Sequence, residues 1–262
     1  MPVDNDLYNR MSDTWWDENE VFSTLLLWLN PVRFGYFRRI LIEQLKVEPG
    51  GKETLDVGCG GGLLAEEFAR LGCKVTGIDP SERSLATART HARQSGLAIT
   101  YLAGIGEQLP FADATFDIVY CCDVLEHVSN LTQVIGEIAR VLKPGGIFFY
   151  DTINRTLLSK LVLIKMAQEW RATRFMPPNL HDWRQFIKPR ELIAIMQRNG
   201  LANRDLKGMT PAANPITILR TLLKRKRGEI SYAEAGKILR WRQSNNLPGS
   251  YMGYALKSED IL

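Results

Sequence analysis

The fold of this chain is decided by the stretch Leu55-Asp56-Val57-Gly58-Cys59-Gly60-Gly61-Gly62, which is followed by the apolar run Lys74-Val75-Thr76-Gly77-Ile78-Asp79. Together they predict a strand, a glycine-rich loop, a helix and a second strand. Gly58 and Gly60 allow positive φ angles and let backbone N–H groups approach a ligand without a Cβ in the way. Asp79 ends the second strand twenty-one residues after Gly58, where an acid can accept both hydroxyls of a ribose. The two stretches therefore predict a cofactor that contains a nucleoside.

The residues around this loop distinguish between two such cofactors. A dinucleotide-binding loop carries a third glycine for close helix packing, whereas this chain has Leu63 at that position. Asp56 lies two residues before Gly58, and its carboxylate would repel a pyrophosphate but attract a sulfonium or an amino group. The pattern therefore favours S-adenosylmethionine over NAD, and it assigns Asp56, Gly58, Gly60 and Asp79 to the cofactor site.

Length and composition suit one domain with additions. The chain has 262 residues, of which 45% are hydrophobic, and a formal net charge of +4. Its four cysteines lack C-x-x-C spacing, so we expect small buried side chains and neither disulfides nor a zinc site among them. The first six residues are polar and acidic, and no apolar run reaches the ~18 residues that a membrane helix needs. These features predict a cytoplasmic protein.

Apolar runs alternate with helical patterns in the central part of the chain. The predicted strands cover residues 54–58, 74–79, 98–102, 116–121 and 147–152, and the predicted helices cover residues 64–71, 84–94 and 131–142. A last strand is predicted at Ser250–Lys257. This alternation predicts an α/β fold with a doubly wound, mostly parallel sheet, in which ligands bind beyond the carboxyl ends of the strands.

The chain divides into four segments of a single domain. We expect an N-terminal helical cap over residues 1–46, an S-adenosylmethionine-binding core over 47–153, a lid or acceptor segment over 154–200, and C-terminal strands with a basic helical insertion over 201–262. Within the core, the loop after the third strand carries Ile105, Gly106 and Glu107. This loop can close over an adenine with backbone donors and an apolar side chain.

Several motifs extend the pattern beyond the core. They are Trp15-Trp16-Asp17, the segment 29–36 around Arg33, Leu125-Glu126-His127-Val128, Asn154-Arg155, the segment 181–192 that begins with His181, and Asn214-Pro215-Ile216-Thr217. With the glycine loop and Asp79, they resemble the class I S-adenosylmethionine-dependent methyltransferases, and most closely the ubiquinone-biosynthesis O-methyltransferase branch. The resemblance implies a Rossmann-like, seven-stranded sheet with N-terminal helices and a helical lid. It also implies O-methylation of a phenolic or catecholic precursor of a prenylated quinone.

The resemblance also implies roles for individual residues. Carried over position by position, Arg33 reaches the carboxylate of the cofactor and Gly58 lines its methionine part. Asp79 holds the ribose, and Cys122 borders the adenosine pocket. A guanidinium is a good bidentate partner for a carboxylate, which makes physical sense of Arg33.

Methyl transfer to a phenol requires that the hydroxyl loses its proton. His127 and His181 are the two candidate bases, because histidine titrates near neutral pH. Alternatively, Asp123, Glu126 and His127 hold a divalent cation, Mg²⁺ or Zn²⁺, that polarises the acceptor oxygen, since their spacing puts them on one face if the stretch is helical. Asp123 stands where the resembled branch usually has the longer glutamate, so both routes stay open.

Two basic stretches lie outside the core. Residues 154–175 and 215–227 combine lysines and arginines with apolar residues, as expected of helices that lie in a membrane interface. A lid helix packed on the core is the alternative for the first stretch. The second begins an addition, residues 218–248, with a predicted helical segment from Tyr232 to Arg242. The resembled branch usually passes quickly to the last strand here, and since acceptor specificity in this fold lies in such additions, we expect residues 218–248 to influence the choice of acceptor.

Three other functions are alternatives to O-methylation. A C- or N-methyltransferase for another small molecule would use the same core. A nucleic-acid methyltransferase is disfavoured because residues 215–227 contain no aromatic residue for base stacking and the N-terminus is acidic. A non-enzymatic S-adenosylmethionine-binding protein would not need the motifs at 125–128 and 181–192. We therefore expect a small phenolic acceptor and no nucleic-acid partner.

Overall fold

The computed structural model describes residues 5–259, whose centre is one mixed sheet of eight strands. The strands are β1 (Glu53–Val57), β2 (Lys74–Asp79), β3 (Thr100–Ala103), β4 (Phe116–Cys121), β5 (Leu142–Ile153), β6 (Leu201–Pro211), β7 (Trp241–Ser244) and β8 (Ser250–Lys257). They lie side by side in the order β3-β2-β1-β4-β5-β8-β6-β7. Since β1 lies between β2 and β4, the strand order reverses there and the sheet is doubly wound.

Helices cover the sheet and its carboxyl edge. They are α1 (Asn5–Arg10), α2 (Asn30–Arg38), α3 (Leu63–Arg70), α4 (Glu82–Gln94), α5 (Leu131–Val141), α6 (Leu157–Ser159), α7 (Pro189–Arg198), α8 (Pro215–Lys226) and α9 (Tyr232–Leu239). Helix α6 continues as a π-helix over Lys160–Glu169. Side chains fix where core helices begin, because Ser81 Oγ accepts a hydrogen bond from the Ser84 N–H and Asn130 Oδ1 accepts one from the Gln133 N–H.

The parallel half of the sheet sets the position of the site. Strands β1 to β5 run parallel, and Asp56 on β1 is level with Gly77 on β2 and Tyr120 on β4. The carboxyl ends of parallel strands meet at the same edge of a sheet. The loops that follow Val57, Asp79 and Cys121 therefore converge, as the sequence predicts.

The sheet has eight strands where seven were expected, and the additional strand is β7. The predicted helix from Tyr232 to Arg242 ends early, since α9 stops at Leu239 and Arg240 adopts the left-handed conformation with φ 47°. The chain then turns into β7, which pairs antiparallel with β6. The predicted α/β class and the doubly wound, mostly parallel arrangement are confirmed.

Apolar side chains fill both faces of the sheet. Val119 pairs with Phe148 and Tyr120 pairs with Phe149, and because successive side chains point to opposite faces, the two pairs belong to separate clusters. A third cluster lies under the N-terminal segment and includes Trp28. The four cysteines are buried and unpaired. Within residues 5–259, no helix has both the length and the apolar character needed to cross a bilayer.

Candidate active site

The carboxyl edge of the parallel strands opens into a cavity of about 960 Å³. The nine residues predicted to bind the cofactor all line it: Arg33, Asp56, Gly58, Gly60, Asp79, Ile105, Gly106, Glu107 and Cys122. Asp123, His127 and His181 line it as well. The residues predicted to bind the cofactor and those predicted to act on the acceptor thus face one shared space.

The glycine-rich loop between β1 and α3 has no room for side chains at its two critical positions. Gly58 has φ 77° and Gly60 has φ 50°. A Cβ at Gly58 would lie 2.3 Å from Val124 Cγ2, and one at Gly60 would lie 2.6 Å from Trp15 Cη2. The loop is therefore a bare backbone cradle that only glycine can form, which fits the close approach that a cofactor requires.

Two carboxyl groups border this cradle. Asp79 Oδ2 accepts a hydrogen bond of 2.9 Å from the Gly60 N–H, and Oδ1 accepts one of 2.8 Å from the Ser81 N–H. Burial raises the pKa of Asp79, although these two N–H donors oppose the shift. Burial also raises the pKa of Asp56 well above its usual value. A cationic group bound beside Asp56 would lower that pKa again, so the site favours the binding of a positively charged ligand.

The loop predicted to close over an adenine is tied to the next part of the site. Glu107 Oε1 accepts a hydrogen bond of 2.9 Å from the Ser129 N–H, and the Glu107 carbonyl accepts one of 2.9 Å from Gln133 Nε2. Ile105 remains 48% exposed beside the cavity, as an apolar lid requires. Cys122 also lines the cavity, and because it is buried and burial raises its pKa, it contributes a neutral, apolar surface.

Arg33 lies deep in the cavity and already has protein partners. Its Nη1 donates to Asn30 Oδ1 at 2.9 Å, its Nη2 pairs with Asp123, and its Nε pairs with Asp151. Burial would lower the pKa of Arg33, but the two carboxylates outweigh it and raise the pKa. The predicted contact with the carboxylate of the cofactor stays a prediction, and it requires that this carboxylate compete with Asp123.

The polar groups near the end of β4 meet in a combination that the sequence spacing did not predict. Glu126, His127 and His181 offer atoms that all lie within 4.8 Å of one another, and the two imidazole rings have centroids 5.0 Å apart. Asp123 is not part of this group because the stretch is a turn rather than a helix. Asp123 has φ 55° and its carboxylate points to Arg33. The structure thus replaces Asp123 with His181 in the group that could hold a cation.

Burial sets the charge of this cluster. It raises the pKa of Glu126 from 4.5 to about 8, with Asp123 adding to the shift and a hydrogen bond of 2.7 Å from Thr152 Oγ1 opposing it. Burial lowers the pKa of His127 to about 4 and that of His181 well below its usual value. Among the described residues, Glu126 Oε1 and His181 Nδ1 are buried without a hydrogen-bond partner. Two neutral imidazoles and an unsatisfied carboxyl oxygen are the donor set that a divalent cation would complete.

Aromatic residues of the N-terminal segment were missed as parts of the site. Tyr8, Trp15 and Phe22 line the cavity, and Trp15 stacks on Phe22 with ring centroids 3.9 Å apart. Trp15 also donates from Nε1 to Ser84 Oγ at 3.0 Å, which fixes its ring over the glycine loop. The Trp15-Trp16-Asp17 motif was the available signal, but sequence alone did not say what its rings would contact.

Comparisons with known proteins agree with this geometry. Residues 55–150 match the family model described as "Methyltransferase domain". A ubiquinone biosynthesis O-methyltransferase from Caulobacter vibrioides is 40% identical over 223 residues, covering 82% of this chain and 86% of the relative. Another from Paramagnetospirillum magneticum is 34% identical and covers 95% of this chain and 92% of the relative. The chain belongs to the ubiquinone biosynthesis O-methyltransferase family. It is therefore an enzyme, an S-adenosylmethionine-dependent methyltransferase.

Solved structures show the same fold at lower identity. A magnesium protoporphyrin IX methyltransferase from Synechocystis with bound S-adenosylhomocysteine (SAH) is 18% identical, with a TM-score of 0.55, and the match covers 83% of this chain and 78% of that one. An S-adenosylmethionine-dependent methyltransferase from Aquifex aeolicus is 17% identical, with a TM-score of 0.55, and the match covers 97% and 98%. In this chain, the glycine loop with Gly58 and Gly60 and the carboxylate of Asp79 at the end of β2 fit S-adenosylmethionine, the cofactor that family membership implies.

The raised pKa of Glu126 predicts a pH-dependent stability. Because the folded state holds this proton more tightly than the unfolded state, Glu126 lowers stability as the pH rises from about 4.5 towards 8. In Glu126→Gln this contribution is absent. Thermal unfolding from pH 5 to pH 8.5 should show the wild type losing several degrees relative to the variant. The pKa of Asp151 is also raised, so this residue lowers the stability of both proteins as the pH rises. If both proteins lost stability equally with pH, the raised pKa of Glu126 would be contradicted.

Proposed function

We propose that this enzyme transfers the methyl group of S-adenosylmethionine to a hydroxyl oxygen of a phenolic or catecholic acceptor, a precursor of a prenylated quinone. The relatives that match most of its length are named ubiquinone biosynthesis O-methyltransferases. The observation that carries the proposal is the polar cluster of Glu126, His127 and His181, of which His127 and His181 line a largely apolar cavity. Such a cavity suits an acceptor with one polar, reacting end.

The mechanism requires little covalent chemistry from the protein. When bound, S-adenosylmethionine supplies a methyl group on a sulfonium, which the acceptor oxygen attacks in line. The cradle at Gly58 and Gly60 and the cluster at His127 hold the two reactants, whose reacting atoms must come to about 3–3.5 Å. Because the pKa values of His127 and His181 are lowered, both imidazoles are neutral at pH 7 and can accept the hydroxyl proton.

A cation at this cluster is the second part of the proposal. The His127 imidazole, with a pKa of about 4, is neutral but only a weak base. Proton transfer from a phenol to this imidazole alone is therefore unfavourable. A divalent cation held by Glu126, His127 and His181 would lower the pKa of an acceptor hydroxyl bound to it. Two imidazoles and one carboxylate suit Zn²⁺ better than Mg²⁺. The unpartnered Glu126 Oε1 and His181 Nδ1 support this set over one that includes Asp123.

Methyl transfer to a panel of acceptors tests the proposed reaction. With labelled S-adenosylmethionine we expect transfer to oxygen of a catechol that carries an apolar tail, and none to amines or RNA. His127→Asn should reduce kcat by ~10²–10⁴-fold, whereas Arg38→Met, at an exposed position outside the cavity, should not. Loss of activity on chelation, restored by Zn²⁺, supports the cation. Activity that survives chelation overturns the cation, and transfer to carbon or nitrogen overturns O-methylation.

We also propose that the enzyme contacts a membrane surface around the mouth of the cavity. Exposed apolar side chains there come from two separate segments: Leu157, Leu158, Leu161, Val162 and Trp170 from the first, and Ile216 and Leu219 from the second. Leu158, Leu161 and Leu219 also line the cavity, so these side chains rim its opening. Exposed basic side chains lie among them, including Lys160, Arg171, Arg220 and Lys224. An apolar rim with surrounding positive charge suits an anionic lipid surface.

Vesicle binding tests this contact. Leu157 is 79% exposed and Ile216 is 65% exposed, and neither lines the cavity. We expect Leu157→Glu and Ile216→Glu each to weaken cosedimentation with anionic vesicles by roughly tenfold, since each loses about 1.5–3 kcal/mol of apolar burial. Leu102→Glu, which changes an exposed leucine on β3, is the control. Equal binding by all four proteins, or binding that ignores salt, contradicts the proposal.

A further inference from the structure

The α8–α9 segment, residues 215–239, is fixed against the N-terminal segment by specific contacts. Trp28 Nε1 donates to the Tyr232 carbonyl at 2.8 Å, and a Cβ at Gly236 would lie 2.6 Å from Trp28 Cδ1. The Arg225 guanidinium lies over the Tyr232 ring, 3.9 Å from its centroid, and donates to the Asn19 carbonyl at 3.1 Å. These contacts are too close and too well paired for a loosely attached addition. The segment is therefore an integral part of the fold.

One face of α8 belongs to the cavity. Pro215, Ile218, Leu219 and Leu222 line it, and this spacing is that of a single apolar helix face. The same helix directs Arg220, Lys224 and Lys226 to solvent. Leu239 at the end of α9 and Trp241 at the start of β7 extend the lining. Helix α8 therefore borders the cavity with an apolar face, which reaches the opening at Leu219, and carries basic side chains on its exposed face.

The groups that could recognise the polar parts of the cofactor lie elsewhere. They are on the glycine loop, at the end of β2 and in the loop around Gly106, and α8 contributes no polar side chain to the lining. A cavity of about 960 Å³ is at the upper end of the ~300–1,000 Å³ that small-ligand sites occupy, so it has room beyond one ligand. The part bordered by α8 thus suits an apolar portion of the acceptor, whereas the cluster of Glu126, His127 and His181 suits a polar group.

We propose that Ile218 and Leu222 on α8 form the wall against which the apolar tail of the acceptor packs, and that this wall selects the length of the tail. The inference rests on the proposed function, since it concerns the same cavity. Leu222 is 6% exposed, and Ile218 is half-buried between the cavity and the cluster that contains Trp28. Ile218 is the position to change, because its side chain can be enlarged or shortened with less risk to folding.

Steady-state kinetics on catechols with no tail, a short alkyl tail or a long alkyl tail test this wall. Each methylene that no longer fits should cost about fourfold in kcat/KM, or about 0.8 kcal/mol. We expect Ile218→Trp to reduce kcat/KM for the long-tailed acceptor by at least roughly tenfold, mainly through KM, and to leave the tailless acceptor unchanged. Ile218→Ala should shift the preference towards longer tails. Ile238→Trp, on an exposed isoleucine of α9 that does not line the cavity, is the matched control.

The outcomes separate the two proposals. If the wild type methylates no catechol, the proposed function fails and the inference fails with it. If the wild type is active but Ile218→Trp and Ile218→Ala keep its dependence on tail length, the wall is elsewhere and only this inference is overturned. Calorimetric titration with SAH shows whether each variant is folded and keeps the wild-type cofactor site. A variant that loses affinity for SAH and activity on every acceptor contradicts a role confined to the tail.

Discussion

The buried ion pairs of Arg33 are the interaction on which the rest of the site depends. Arg33 is 2% exposed and comes from α2, while its partners Asp123 and Asp151 come from the turn after β4 and from β5. The Asp123 N–H in turn donates to Asp151 Oδ1 at 2.8 Å. Burial raises the pKa of Asp151 to about 7, with Arg33 opposing the shift. Removing one partner would leave a buried carboxylate uncompensated, which is costly, so these pairs hold the three elements together.

This arrangement determines where the acceptor chemistry occurs. Asp123 adopts a left-handed conformation in the turn after β4, and beyond this turn Glu126 and His127 lie close to His181. The glycine cradle lies at the end of the neighbouring strand β1. The two halves of the site therefore come from adjacent strand ends, and α8 supplies an apolar wall far from both in sequence. Family membership accounts for the cofactor, and the polar end and apolar wall account for the acceptor that we propose.

Local patterns were enough to predict the core. Strand β2 and the acid that ends it, Asp79, were found because hydrophobic periodicity and glycine geometry act over a few residues. Strand β7 was not predicted because it depends on a single left-handed residue, Arg240, and on a partner strand, β6, that lies far away in sequence. Helical pattern alone could not show either.

The cluster at the acceptor end was only half predicted for the same reason. Glu126 and His127 were identified from their proximity in sequence, but the third member depended on tertiary structure. His181 reaches the cluster from the lid segment, where Gln168 Oε1 accepts a hydrogen bond of 2.7 Å from its backbone N–H. Asp123 would face the cation together with Glu126 and His127 only if the stretch were helical, whereas it lies in a turn and pairs with Arg33. Long-range contacts, not residue types, decided between them.

The free energy of unfolding of Arg33→Met tests the central role of this residue most directly. Arg38 lies on the same helix and is exposed, so Arg38→Met is the matched control. We predict that Arg33→Met loses about 3–5 kcal/mol in urea unfolding, because it leaves the carboxylates of Asp123 and Asp151 without their partner. Arg38→Met should stay within about 0.5 kcal/mol of the wild type. Equal stability of the two variants would contradict the account, since the ion pairs would then not hold the site together.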